Sequence, residues 1–125
     1  MYYALTVSLV GGSNPWYGRV EIFHDGQWGT VCDDYFNRVD AQVVCRLVGY
    51  SGGRVSVSGT EGSGEIWLDN VDCNGNEASL GDCWHRGWGV HNCGHHEDVS
   101  VECGDFFFFH SLARNGFMVI TRSKI

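Results

Sequence analysis

The chain has 125 residues, 43% of them hydrophobic, and a formal net charge of −7. That length suits one domain, and that apolar content excludes an intrinsically disordered chain. The acidic balance argues against general nucleic-acid binding, which needs a basic footprint.

In chain order, Leu5 to Val10 alternates loosely and stops at Gly11-Gly12, so it reads as a strand. Gly18 to Phe23 alternates more cleanly, His24-Asp25-Gly26 offers a turn, and Gln27 to Cys32 returns as a second strand. Asp-Gly between two alternating runs is a hairpin signal. Asn37 to Val48 is the one strong helix: Asn37 can cap it, Asp40 sits at the capping-box position and Gly49 stops it. Val39, Val43 and Leu47 form one apolar stripe with Val44 and Val48 beside it, so this face is expected in the core. Glu65 to Leu68 is a short strand, Asp69 to Glu97 a long glycine-rich loop region, and Asp98 to Glu102 a closing strand.

The ends of the chain carry other expectations. The longest apolar runs, Ala4 to Val10 and Phe106 to Phe109, fall far short of the roughly 20 residues of a membrane-spanning helix. Met1-Tyr2-Tyr3 lacks the positive start of a signal peptide, which suggests a mature domain or a fragment of something larger. Residues 105–125 read as an apolar tail, with Phe106 to Phe109 and Phe117 to Ile120, that packs on the domain, pairs with a second copy or is a splice artefact.

Six cysteines stand at 32, 45, 73, 83, 93 and 103, and none belongs to a Cys-x-x-Cys pair. An even set without metal spacing reads as a disulfide framework and places the protein in an oxidising, extracellular setting. Six cysteines allow 15 pairings. His85, His91, His95 and His96 lie near cysteines, but bridged sulfurs offer neither zinc ligands nor a thiolate nucleophile.

Several motifs in order now resemble one family. They are Gly18-Arg19-Val20-Glu21, Trp28-Gly29-Thr30-Val31-Cys32-Asp33-Asp34, Ala41-Gln42-Val43-Val44-Cys45-Arg46-Leu47 and Ile66-Trp67-Leu68-Asp69-Asn70-Val71-Asp72-Cys73. Leu80-Gly81-Asp82-Cys83 and the stretch from Asn92-Cys93 to Cys103 continue the pattern. Over about residues 5 to 103 the chain resembles the scavenger receptor cysteine-rich (SRCR) domain, in its six-cysteine, group A form. The resemblance sets a domain at 1–104. It implies an α+β fold, a small curved antiparallel β-sheet cradling one α-helix. It also implies the bridges Cys32–Cys93, Cys45–Cys103 and Cys73–Cys83.

The same resemblance implies metal sites at two carboxylate clusters. If Cys32 pairs with Cys93, Asp33, Asp34 and Glu97 share one neighbourhood. Three carboxylates held close repel, and Ca²⁺ relieves that repulsion with six to eight oxygens in flexible geometry. Mg²⁺ demands a tighter octahedron and suits the cluster less well. Asp69, Asp72 and Asn92 form the second cluster. Arg19, Arg38, Arg46 and Arg54 are candidates for a basic patch, since guanidinium forks recognise sulfate, phosphate and carboxylate. Trp84 and Trp88, in a glycine-rich loop, are candidate ligand contacts. The expected function is therefore that of a secreted or ectodomain recognition module for microbial-surface or other polyanionic ligands. It is expected to depend on calcium and to lack catalysis. The runner-up is an adhesion or receptor domain that binds one protein partner, with the metal purely structural. An accessory domain of a larger enzyme is a third reading.

Overall fold

The computed structural model of the chain describes residues 6–105. The expectations for the apolar tail from 106 onward, and for the first five residues, lie outside these. Six strands form one sheet: β1 Val7–Val10, β2 Tyr17–His24, β3 Gln27–Val31, β4 Gly52–Ser56, β5 Glu65–Leu68 and β6 Ser100–Gly104. Their order is β4-β6-β2-β3-β5, with β1 also paired to β2. The single α-helix among the described residues, α1, spans Arg38–Leu47.

The β2–β3 hairpin forms where Asp25-Gly26 predicts it. Both turn residues have positive φ, 54° and 80°, the conformation that matches a tight turn to strand twist. Pairing of Phe23 with Trp28 and of His24 with Gln27 sets the register. The sheet is mixed, because β3 and β5 run parallel, with Thr30 opposite Ile66. More than thirty residues separate these strands, including α1 and β4, enough chain for the crossover that a parallel pair requires.

α1 starts through a complete capping box. The Asn37 side chain accepts from the amides of Val39 and Asp40, and the Asp40 carboxylate accepts from the Asn37 amide at 2.8 Å. Val43 and Val44 are fully buried, as the stripe requires. Val39, expected in the same stripe, is instead 38% exposed. Its side chain lies beside Gly75, outside the core cluster.

The core gathers Val20, Ile22, Val31, Ala41, Val43, Val44, Leu68, Val71, Leu80, Val99 and Val101. Each fully buried Val or Leu contributes roughly 1.5–3 kcal/mol relative to exposure. All six cysteines are bridged: Cys32–Cys93, Cys45–Cys103 and Cys73–Cys83, the pairing the resemblance implies. The first two close loops of 61 and 58 residues, each worth about 4 kcal/mol on the chain-entropy account. The second bridge joins α1 to β6, where Gly53 of β4 passes so close that a Cβ there would sit 2.2 Å from Cys45 Sγ. β4 itself was not foreseen; it pairs with β6 from Gly52 opposite Gly104 to Ser56 opposite Ser100. Among the described residues, no helix is long and apolar enough to cross a membrane.

Candidate functional site

The Cys32–Cys93 bridge ties the end of β3 to the loop before β6, and the carboxylates collect around it. Cys32 faces Asp98 in an isolated β-bridge, and the Asp33 amide donates to the Glu97 carbonyl at 2.8 Å. A 3₁₀ turn at His95–Glu97 presents the Glu97 side chain, and its Oε1 accepts from the Gly94 amide at 3.0 Å. Tyr35 turns the chain immediately after the acidic pair, at φ 60°.

These constraints bring together the three residues expected from the sequence. One ligand atom each from Asp33, Asp34 and Glu97, with the sulfur of Cys32, lies within 4.8 Å of the others. Burial pushes the Asp33 carboxyl above the ordinary carboxylate range, and the Glu97 charge pushes it further. Burial likewise raises Asp34, and the charges of Glu97, Asp69 and Asp33 follow in that order. His96 stands 3.7 Å from Glu97 on the outer side. An all-oxygen donor set of crowded carboxylates fits a hard divalent cation better than a thiolate- or imidazole-seeking one.

The second expected cluster is arranged differently. Asp69 is fully buried, and its Oδ2 accepts from Arg86 at 3.1 Å. Its Oδ1 is buried without a hydrogen-bond partner. Asp69 joins Asp34 in a second group of ligand atoms within 4.8 Å, together with the sulfurs of Cys32 and Cys93. Asn92 lines a recess with Asp34, Tyr35, Asn70 and Arg86. Asp72 lines the neighbouring recess with Tyr35, Asn37, Asn70, Val71 and Trp84. Tyr35 and Asn70 form the wall between the two. Sequence reading missed Arg86, because an Arg–Asp pair 17 residues apart has no local signature.

The four arginines singled out from sequence occupy separate elements. Arg19, on β2, is buried, held by Glu21 at 2.8 Å and by the carbonyl and hydroxyl of Thr60. Arg46, at the end of α1, donates to the carbonyls of Gly75 and Glu77. Arg54, on β4, pairs with Glu102 at 3.1 Å. Arg38 is exposed at the start of α1. Of the two tryptophans, Trp84 is 63% exposed, whereas Trp88 stacks on His24 at 3.6 Å and stands edge-on to Trp67. Trp88 therefore anchors its loop to the β2–β3 hairpin.

Comparison with known proteins places this geometry. The model of the scavenger receptor cysteine-rich domain family matches residues 10–104. Macrophage receptor MARCO of Mus musculus is 53% identical over 97 residues, covering 78% of this chain and 18% of that protein. A scavenger receptor cysteine-rich domain superfamily protein of Patiria pectinifera is 50% identical over 105 residues, covering 82% of this chain and 9% of that protein. The chain thus spans less than a fifth of the length of these two relatives. The dimeric form of the SRCR domain of mouse MARCO superposes with a TM-score of 0.68 at 52% identity, over 78% of this chain and 94% of that one. The third SRCR domain of murine neurotrypsin gives 0.70 at 48% identity, over the same shares. With its three bridges, a helix on a curved mixed sheet and a match spanning most of its length, the chain belongs to the scavenger receptor cysteine-rich domain family.

Proposed function

We propose that this domain is an extracellular, non-catalytic recognition module. It captures microbial-surface and other polyanionic ligands in a calcium-dependent way. The observation that carries the reading is the convergence of Asp33, Asp34 and Glu97 within 4.8 Å beside the Cys32–Cys93 bridge. Such a cluster is costly in the fold and useful to a cation. Asp33, Asp34 and Glu97 would hold the ion, which when bound supplies a positive centre for ligand sulfate, phosphate or carboxylate. The bridge and the Asp33–Glu97 backbone bond hold the carboxylates at one surface point, so little ordering remains for the ligand to induce. Asp69, Asp72 and Asn92 would offer a second, weaker site. The unpartnered Asp69 Oδ1 favours it, and the Arg86 guanidinium on Oδ2 weakens it.

The second reading is recognition of one protein partner, with the metal only structural. It is favoured by the exposed aromatic pair Phe23 and Trp28 on the hairpin, with ring centroids 5.3 Å apart. Exposed aromatic clusters are typical anchors of protein interfaces. Binding of dextran sulfate, lipopolysaccharide and whole bacteria, each with and without chelator, separates the two. Broad binding that collapses with chelator supports the calcium reading. Tight binding to a single protein regardless of chelator supports the second.

A further inference from the structure

We infer that the recess lined by Tyr35 and Trp84 is a binding site for a neutral saccharide, separate from the cluster of Asp33, Asp34 and Glu97. The recess measures about 330 Å³, room for one pyranose ring, and its lining is Tyr35, Asn37, Asn70, Val71, Asp72 and Trp84. Three observations specify its ligand.

The first is a pair of exposed rings that the fold does not use. Tyr35 is 81% exposed and Trp84 63% exposed. Among the described residues, neither stacks on another aromatic ring and the Tyr35 side chain has no hydrogen bond. Tyr35 also sits at φ 60°, a conformation that Asn, Asp or Gly adopts more readily than an aromatic residue. Folding stability alone would favour a smaller residue there. Exposed aromatic rings lining a recess are platforms for the C–H faces of a sugar ring.

The second is unused hydrogen-bonding capacity in the same recess. The Asn70 carboxamide and the Asp72 carboxylate have no side-chain hydrogen bond among the described residues. Asn37 spends its Oδ1 on the helix cap. Its NH₂ group stays available. The recess therefore offers both donors and acceptors, which hydroxyl groups satisfy together and a quaternary ammonium cannot. Asn70 is itself held at φ 56°, and the backbone around it is fixed by the exchange of two hydrogen bonds between Asp72 and Trp84 at 2.9 and 3.2 Å. The platform is thus preorganised.

The third is charge. The lining contains one carboxylate, Asp72, and no basic side chain. A sulfated or phosphorylated ligand would be repelled here, whereas a neutral sugar is not. This recess and the carboxylate cluster would select different chemistry on the same microbial surface, so a glycan engaging both would gain avidity.

The test is a titration of the intact chain with a panel of neutral gluco-, galacto- and manno-oligosaccharides, followed by tryptophan fluorescence and ligand-observed NMR. Chelator is present throughout, so that failure of the calcium reading cannot affect the result. At least one neutral oligosaccharide is expected to bind saturably at millimolar or lower concentration. Trp84→Ala should weaken that binding about tenfold, the effect of one lost aromatic face. Tyr35→Asn should weaken it similarly while leaving the melting temperature unchanged or raised, because Asn tolerates the left-handed conformation. Both rings are exposed, so neither variant should compromise folding, and the melting temperature verifies this. Absence of saturable binding by every neutral sugar overturns the proposal. So does sugar binding that survives both substitutions, or a recess that takes only tetramethylammonium or other organic cations.

Discussion

Two buried aspartates show how this domain divides stability from function. Asp40 and Asp69 are both fully excluded from solvent. Asp40 is completely used: one oxygen accepts from the Asn37 amide at 2.8 Å and the other from the Cys73 amide at 2.8 Å. It thereby pins the start of α1 to the loop that carries the Cys73–Cys83 bridge. Asp69 keeps one oxygen with Arg86 and leaves the other without a partner, close to Asp34. A satisfied buried carboxylate builds the fold. A half-satisfied one, beside further carboxylates whose protons are held tightly, is a place where a cation lowers the free energy.

Substitutions should separate these two faces, with the largest effects on the helix side. Val43 is fully buried in α1, and Val43→Asp places an unpaired charge there, at a cost of several kcal/mol. That protein should fail to fold, read as loss of near-ultraviolet circular dichroism. Asp40→Ala leaves the Cys73 amide unsatisfied and removes half of the capping box, a combined loss of about 2–4 kcal/mol in denaturant titration.

On the acidic face the direction reverses. Asp33 and Asp34 hold their protons above the ordinary range, so their ionisation weighs against the fold. The folded state binds protons more tightly than the unfolded chain between the ordinary aspartate value of 3.8 and the raised value. This contribution therefore favours folding below that window and is lost as pH rises through it. Asp33→Asn should stabilise the calcium-free protein at neutral pH, and the gain over wild type should vanish as pH falls below 3.8.

The smallest effect concerns the loop before β5. His95 bonds Asp98 through Nδ1 and the Gly64 carbonyl through Nε2, both at 2.9 Å. Its pKa is raised above 6.5, first by the Asp98 bond and then by the Gly64 carbonyl. Stability from the charged ring is complete below pH 6.5 and lost as pH rises through the raised value. The melting-temperature gap between wild type and His95→Gln should be widest below that pH and narrow above it.

Sequence was most legible where chemistry is local. Asn37, Asp40 and Gly49 announce α1, and Asp25-Gly26 announces the hairpin, because caps and turns are decided within a few residues. The bridges and the Asp33, Asp34 and Glu97 cluster were legible only through several family motifs read together. β4 was hidden because Gly52-Gly53 shows no alternation, and its hydrogen bonds come from β6, almost fifty residues away. The burial of Arg19 was equally invisible, since its partner Thr60 lies 41 residues on in a loop. The Asp69–Arg86 pair and the aromatic recess depend on how the 69–97 loops fold over the sheet, which no periodicity encodes.

The central claim is that Asp33, Asp34 and Glu97 form a calcium site on which polyanion capture depends. The most direct measurement is a calorimetric titration of calcium into wild type and Asp34→Ala, each checked for intact disulfides and then assayed on a sulfated polyanion surface. Wild type should take up calcium at or below millimolar concentration, with a melting temperature that rises with the ion by mass action. Asp34→Ala should stay folded, lose most of that uptake and lose polyanion binding with it. No calcium uptake by wild type, or full polyanion binding by Asp34→Ala, would contradict the claim.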